Sequence, residues 1–428
     1  MSAPSGIWSF STRVTIDSVD FAAEWPRVVG ATLRAFGDVD LAEESAQEAF
    51  TRAAERLAAG ETIDNIGAWA TTVARRIAVD SLRHDAVLRA KLPLLVAGGV
   101  SGEEPATQRT DDRLGLILVA CDPVLAPEQQ IALALRIACG IPTADIARFF
   151  GLPEATIAAR LTRAKKAIAR SGIPFSWPSP GERRARLGSA LTTVYGVHTL
   201  GHTAGVGDDL VDTALAALAL ELARDIVAEC PDDTEAIGLL AIIELGEARR
   251  PARVRVDGMP LTLAEVDRSA WGRRRIRLGL ELAARALPGG GRFALQAGIA
   301  GLHSSAATWD QTDWAAISTL YHGLSRVWPA PVVTLGGIIA RSHLGPSELD
   351  RAAVELRRIS GRASAEFDRR IFAALADVEE RRGAWAPALE ALAAASLGEQ
   401  NEAVLRYYGR VTERLASEFV HGTGTPER

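Results

Sequence analysis

Cysteine is scarce in this chain of 428 residues: Cys121, Cys139 and Cys230 are its only three. Each stands alone among apolar neighbours without metal-ligand spacing. That excludes a cysteine-based metal knot and predicts three reduced core thiols. Long apolar runs are missing too. No stretch of about 20 apolar residues appears, and no cationic start leads into an apolar run. A soluble cytoplasmic protein with no membrane partner is the expectation. Charge of neither sign dominates, the net value being −5. A mild acidic balance does not exclude nucleic-acid binding, because what matters is where basic residues cluster. Sustained strand alternation is also scarce. The exception is VRVDGMPLTL, where Asp257-Gly258 can close a short hairpin.

What is present reads as helix. A hydrophobic fraction of 48% supplies real cores, and the length exceeds what one core usually serves. An all-α fold of two small helical domains followed by a helical-repeat domain is expected. The first block spans residues 21–92, after a loose tail at 1–20. Residues 93–112 hold Pro93, Gly98, Gly99, Gly102 and Pro105 and suit a flexible linker. A second block covers 113–175 and ends at the Pro- and Ser-rich IPFSWPSPGERR. From 176 to 428 amphipathic helices follow one another, separated by Gly or Pro. We read this part as an array of the tetratricopeptide type, although no strict 34-residue consensus is visible.

The second block carries TADIARFFGLPEATIAARLTRAKKAIAR. Thr143 can cap a helix running to Phe150. Gly151-Leu152-Pro153 then makes a tight turn, Gly151 being free to take a left-handed conformation and Pro153 suiting the first turn of a new helix. On that helix Ile157, Leu161, Ala164 and Ile168 follow helical spacing and face a core with Ile146 and Phe150. Thr156, Arg160, Arg163 and Arg170 lie on the other side, flanked by Lys165 and Lys166. A short helix, a glycine turn and a second helix with a basic outer face fit a major groove. Arginine and lysine there pair with phosphates or guanine edges. A solvated basic helix in an ordinary bundle has the same pattern.

The first block offers two further surfaces. AFGDVDLAEESAQEAFTRAAERL lines Ala46, Phe50, Ala53 and Leu57 along one face and Asp40, Glu44, Gln47, Glu48 and Glu55 along the other. An acidic face does not grip DNA and suits a basic protein partner, or plain solvent. In DNIGAWATTVARRIAVDSLRHDAVLRAK, Ala70, Val73, Ala74, Ile77 and Leu82 pack inward, while Arg75, Arg76 and Arg83 form a basic stripe. Asn65 and Trp69 stand at the helix entrance. An amide and an aromatic beside a basic helix suit unpaired bases, and Trp69 also suits a core.

In this order, DLAEESAQEAFTRA, GAWATTVARRIAVDSLRH, LAPEQQIALALR and PEATIAARLTRAKKAI resemble the sigma-70 family over roughly residues 21–175. The nearest group is the extracytoplasmic-function sigma factors, with two sigma domains. DDRLGLILVACDPVLAPE, ARRPARV, DRSAWGRRRI, LQAGIAGLHS and TDWAAISTLY look like the subgroup with a long C-terminal tetratricopeptide-like extension. The resemblance implies a sigma factor that binds core RNA polymerase and directs it to promoters. Asp40, Glu44, Gln47 and Glu48 match the helix that docks on the clamp helices of the β′ subunit. Asn65, Trp69, Arg75, Arg76 and Arg83 match the part that recognises and opens the −10 element. Thr156, Arg160, Arg163, Lys165 and Lys166 match the helix that reads the −35 element. Glu103, Glu104, Asp111 and Asp112 of the linker match a segment near the polymerase active-site channel. The extension is implied to regulate, through a protein partner or the sigma domains themselves. Two stretches depart from the subgroup. VYGVHTLGHTAG stands where Asn-Glu-Gly-Tyr is usual, and TLGGIIARS, with Gly336 and Gly337, where an Asn-Arg pair is usual.

Two rival readings have different requirements. A stand-alone helix-turn-helix regulator with a tetratricopeptide-like sensor needs neither the acidic helix nor Trp69, and binds palindromes as a dimer. An enzyme in the C-terminal half would use His198, His202, His303, His322 or His343. His198 and His202 share a face at i, i+4, but HTLGH lacks the acid of a zinc-protease motif and no third ligand is evident. PGGGRF has no preceding strand, so a phosphate loop is not supported. No enzymatic activity, metal or cofactor is expected.

Overall fold

The computed structural model describes residues 21–84, 109–171, 178–205 and 207–423. The expected tail, most of the linker including Glu103 and Glu104, and the final residues lie outside them. The described residues are helical throughout except for turns and two isolated β-bridges. They form two compact units. One comprises residues up to 147 together with 153–196, the other 148–152 together with 197 onward.

In the first unit α1 (Phe21–Phe36), α2 (Val39–Ala58) and α3 (Ile66–His84) pack on one another. Asp38 caps α2 by accepting from the Leu41 amide at 3.0 Å, and Asn65 does the same for α3 through the Ala68 amide at 2.9 Å. Each cap satisfies an amide that lacks an intrahelical acceptor. The buried stripe of α2 runs through Val39, Ala42, Ala46, Ala49 and Ala53. Small residues there let α1 and α3 approach closely. Next come α4 (Arg109–Ala120), α5 (Pro127–Ile137), α6 (Thr143–Phe150) and α7 (Glu154–Ser171). α4 begins at Arg109, so Asp111 and Asp112, expected in the linker, are helical.

The first three helices do not form a body separate from α4, α5 and α7. α1 packs on α4, and α2 touches α7. Trp25, 3% exposed, donates its indole N–H to the Ile137 carbonyl at 3.1 Å, which ties α1 to the end of α5.

The sequence pattern places a boundary at 176. Helix α8 (Pro180–His202) begins after it, yet its residues up to Gly196 belong to the first unit. Arg186 is the reason. It is buried, ion-paired to Asp122 at 2.6 Å, and donates to the Leu118 carbonyl at 3.0 Å. Ser189 adds a bond to Gln130 at 2.5 Å.

The second unit continues through α9 (Thr213–Glu229), α10 (Thr234–Arg249), α11 (Arg273–Ala286), α12 (Arg292–Ser305), α13 (Trp314–Val327), α14 (Pro331–Arg341), α15 (Pro346–Ile359), α16 (Ala365–Arg381), α17 (Trp385–Ser396) and α18 (Glu402–Thr423). Each packs on its neighbour in chain order, and α10 also contacts α12. The expected hairpin is present as a turn, with Gly258 at φ +78° and a Val254–Pro260 bridge. Gly336 and Gly337 lie inside α14. A Cβ on Gly336 would fall 2.5 Å from the Tyr321 ring, so this glycine lets α13 and α14 close on each other. The close approach accounts for a helix-weakening residue at this position.

Candidate nucleic-acid interface

The helix-turn-helix forms as the spacing predicts, with small shifts. α6 starts at Thr143 itself, and Pro142 accepts the first intrahelical bond, from Ile146. Gly151 turns the chain at φ +63°, the left-handed region that an L side chain rarely adopts. Pro153 immediately precedes α7 and its carbonyl accepts from the Thr156 and Ile157 amides. Ile157, Leu161, Ala164 and Ile168 are all buried, as is Ile146, while Phe150 is only half-buried.

The outer face of α7 is not uniform. Thr156, Arg163, Lys166 and Arg170 are exposed, and Arg160 is half-buried. Lys165, expected on the −35-reading face, is engaged by acids of the same unit. Its ammonium lies 2.7 Å from Asp40 Oδ1 and 2.8 Å from Glu43 Oε2, on α2. Burial works against its charge, but Glu43 and Asp40 outweigh that and hold its pKa above the usual lysine value.

Glu43 was not singled out from the sequence. Only 5% exposed, it also receives Arg136 at 2.5 Å. One carboxylate therefore holds a cation from α5 and a cation from α7. A signal for it was available: Val39, Glu43, Ala46, Phe50 and Ala53 follow helical spacing, and an acid on an apolar stripe requires a charged partner. The other acidic-face residues, Asp40, Glu44, Gln47 and Glu48, are exposed as expected. Glu48 pairs locally with Arg52 at 2.9 Å.

On α3, Ala70 and Ala74 are buried, and Val73, Ile77 and Leu82 are half-buried. Arg75, Arg76 and Arg83 all face solvent. Trp69 is half-buried rather than core, with the Arg56 guanidinium 5.5 Å from its ring centroid. Asn65 is exposed at the cap. The two residues thus sit at the start of the helix that carries the basic stripe. A partly open aromatic, an amide and three arginines are the chemistry for unpaired bases and their backbone.

Among the described residues no group of three His, Cys, Asp or Glu side chains is placed to hold a metal ion. The cysteines form no disulfide; burial pushes the thiols of Cys121 and Cys139 up to about 12, which leaves them unreactive. Cys121 is buried, whereas Cys139 and Cys230 are half-buried. At PGGGRF the amides that open α12 are taken, because Glu235 accepts from Phe293 and Ala294 at 3.0 Å each. No described helix is long and apolar enough to cross a membrane.

Comparison with known proteins follows the same division. The family "Sigma-70 region 2" matches residues 21–86 and "Sigma-70, region 4" matches residues 118–168. A family of unknown function, DUF6596, matches residues 186–287. The chain is 36% identical over 349 residues to the uncharacterized protein R00370 of Rhizobium meliloti, covering 78% of this chain and 82% of that protein. It is 29% identical over 155 residues to the probable ECF RNA polymerase sigma factor SigI of Mycobacterium tuberculosis, over 35% of this chain and 53% of the relative. The figure for the ECF RNA polymerase sigma factor SigJ of the same organism is 30% over 182 residues, covering 40% of this chain and 57% of that one. The chain thus spans about half the length of these two proteins. No solved structure matches it.

Proposed function

We propose, from the premise that this chain belongs to the extracytoplasmic-function sigma factors of the sigma-70 family and carries a C-terminal helical extension, how its surfaces divide the work. A sigma factor of this family works with core RNA polymerase and promoter DNA. The exposed acids Glu44 and Glu48 on α2, with Gln47 and Asp40, dock on the clamp helices of β′. Asn65 and Trp69 capture unpaired bases of the −10 element, and Arg75, Arg76 and Arg83 hold the backbone beside them. Thr156, Arg163 and Lys166 on α7 enter the −35 major groove, with Arg160 at the edge of that face. Polymerase performs the nucleotide transfer. This chain supplies two DNA contacts that reinforce each other, because holding one raises the effective concentration of the other.

The observation that carries this reading is the separation of charge on exposed helix faces of one compact unit: acids on α2, arginines on α3 and α7. Lys165 adds a condition. While it holds Asp40 and Glu43 it is not available to a phosphate, and Asp40 is not fully available to polymerase. Docking of α2 on polymerase competes with this contact and releases α7 toward DNA. The extension regulates initiation rather than contacting the promoter.

Binding of the full chain to fluorescently labelled core polymerase tests the docking surface. A Glu44→Lys, Glu48→Lys double variant is expected to bind at least tenfold more weakly, with unchanged thermal unfolding. Equal binding by both proteins would place the polymerase contact elsewhere.

A further inference from the structure

The second unit pairs nearly all of its well-packed arginines with acids. Glu244, fully buried, takes Arg224 and Arg275 at 2.5 and 2.6 Å. Glu379 takes Arg357 and Arg382, and Glu355 takes Arg341. One group breaks the pattern. Arg249 at the end of α10, Arg253 just beyond it and Arg268 before α11 are each half-buried. Among the described residues none of them makes an ion pair.

Backbone carbonyls hold these guanidiniums in place instead. Arg249 Nε donates to Leu245 at 3.2 Å, and Arg253 donates to the His202 carbonyl. Arg268 donates to the carbonyls of His303 at 3.1 Å and Ala306 at 2.7 Å, and lies 5.0 Å from the Trp271 ring centroid. Carbonyls position a cation without cancelling its charge. The acids nearby are committed elsewhere. Glu247 holds Arg250 at 3.1 Å and reaches Arg253 only through its field. Asp267 holds Ser269, and Asp313 caps α13.

Beyond Glu247, the histidine and tryptophan neighbours add donors and no further negative charge. His198 and His202 lie with ring centroids 5.8 Å apart. Burial, then the Arg249 and Arg253 charges, bring His198 down to about 4, and burial and the Arg249 and Arg268 charges do the same to His303. The Trp271 indole nitrogen and His303 Nδ1 are buried without a hydrogen-bond partner among the described residues. Trp271 itself is only 6% exposed. Burial and the Arg268 charge lower Arg249 to about 10, a sign that the cations oppose one another.

We propose that Arg249, Arg253 and Arg268, with the Trp271 indole and the His202 and His303 imidazoles around them, form a binding site in the extension for a small multivalent oxyanion of the phosphate class. Three guanidiniums fixed by carbonyls present forked N–H donors that suit tetrahedral oxyanions. Such an anion supplies the charge the fold omits. All of these residues belong to the second compact unit.

Calorimetric titration of the full chain with pyrophosphate at fixed ionic strength tests this, with orthophosphate and citrate as comparison anions. Saturable binding of pyrophosphate is expected, weakened at least tenfold in Arg249→Gln and in Arg253→Gln. An Arg163→Gln, Lys166→Gln variant is expected to bind as wild type, which separates this site from the DNA-reading helix. Thermal unfolding gives a second readout. Arg249→Gln removes one of several opposed charges, so its ligand-free melting temperature is expected to equal or exceed wild type while the gain on adding pyrophosphate disappears. The proposal is overturned by absence of saturable binding, by equal binding in both arginine variants, by loss in the Arg163, Lys166 variant, by a preference for citrate over both phosphates, or by a ligand-free Arg249→Gln protein that melts well below wild type.

Discussion

Lys165 on α7 and Glu43 on α2 meet at 2.8 Å. The Glu43 side chain is 7% exposed and that of Lys165 15%, whereas Asp40, the other partner, is 59% exposed. The pair with Glu43 therefore carries most of the energy, since an exposed pair is worth little. Removing one partner of a buried pair costs roughly 3 kcal/mol. Lys165→Met leaves Glu43 its second cation, Arg136, so it is expected to lower stability in urea unfolding by less than that, about 1–2 kcal/mol. The pH dependence follows from the direction of the shift. A lysine whose pKa is raised by folding contributes fully below its unfolded value of about 10.4 and loses the contribution as pH rises through the folded value. The difference between wild type and variant should thus be flat between pH 6 and 9, on the order of the same 1–2 kcal/mol, and shrink in stronger alkali.

This contact also shows where sequence reading stops. The buried positions of α7 and of α2 were legible because both follow a period of 3.6 residues. The role of Lys165 was not, because its partner lies on a helix far away in the chain, and periodicity places a residue on a face without naming what faces it. The same limit hid the tie between α8 and the first unit. Proline and serine at 174–180 mark a break in helix, yet Arg186 beyond them is drawn back by Asp122. Gly336 read as a weak point in a helix until the Tyr321 ring gave it a reason.

The role proposed for Trp69 in base capture can be separated from folding. Because it is half-buried and touched by Arg56 rather than enclosed, Trp69→Ala should leave the unfolding midpoint nearly unchanged. Stacking of one base on an aromatic is worth about 1–3 kcal/mol. Open-complex formation, read by permanganate reactivity of the −10 region, is accordingly expected to fall by roughly tenfold or more, with Trp69→Phe recovering part of it.

Gly336→Ala tests the packing of α13 on α14. Intrinsic helix propensity favours alanine by about 1 kcal/mol. The clash with the Tyr321 ring outweighs it, overpacking costing about 1–3 kcal/mol. A lower melting temperature is expected; a higher one would show that the ring has room to move.

His198 gives the second unit a dependence on acid. Burial, with Arg249 and Arg253 nearby, lowers its pKa to about 4. A base with a depressed folded pKa contributes fully above its unfolded value of about 6.5 and loses the contribution as pH falls toward the folded value. Thermal unfolding between pH 7 and pH 4 should fall steadily, and His198→Gln should flatten that slope.

The central claim, that this chain directs polymerase to promoters through the exposed faces of α3 and α7, is tested most directly by run-off transcription. Core polymerase and full-length protein would be combined on DNA from upstream of the protein's own gene. Wild type is expected to give promoter-specific transcripts, and an Arg163→Ala, Lys166→Ala double variant to lose them while still binding core polymerase. Transcripts of equal strength from the double variant, or a wild-type protein that shifts duplex DNA yet neither binds core polymerase nor starts transcription, would contradict the account.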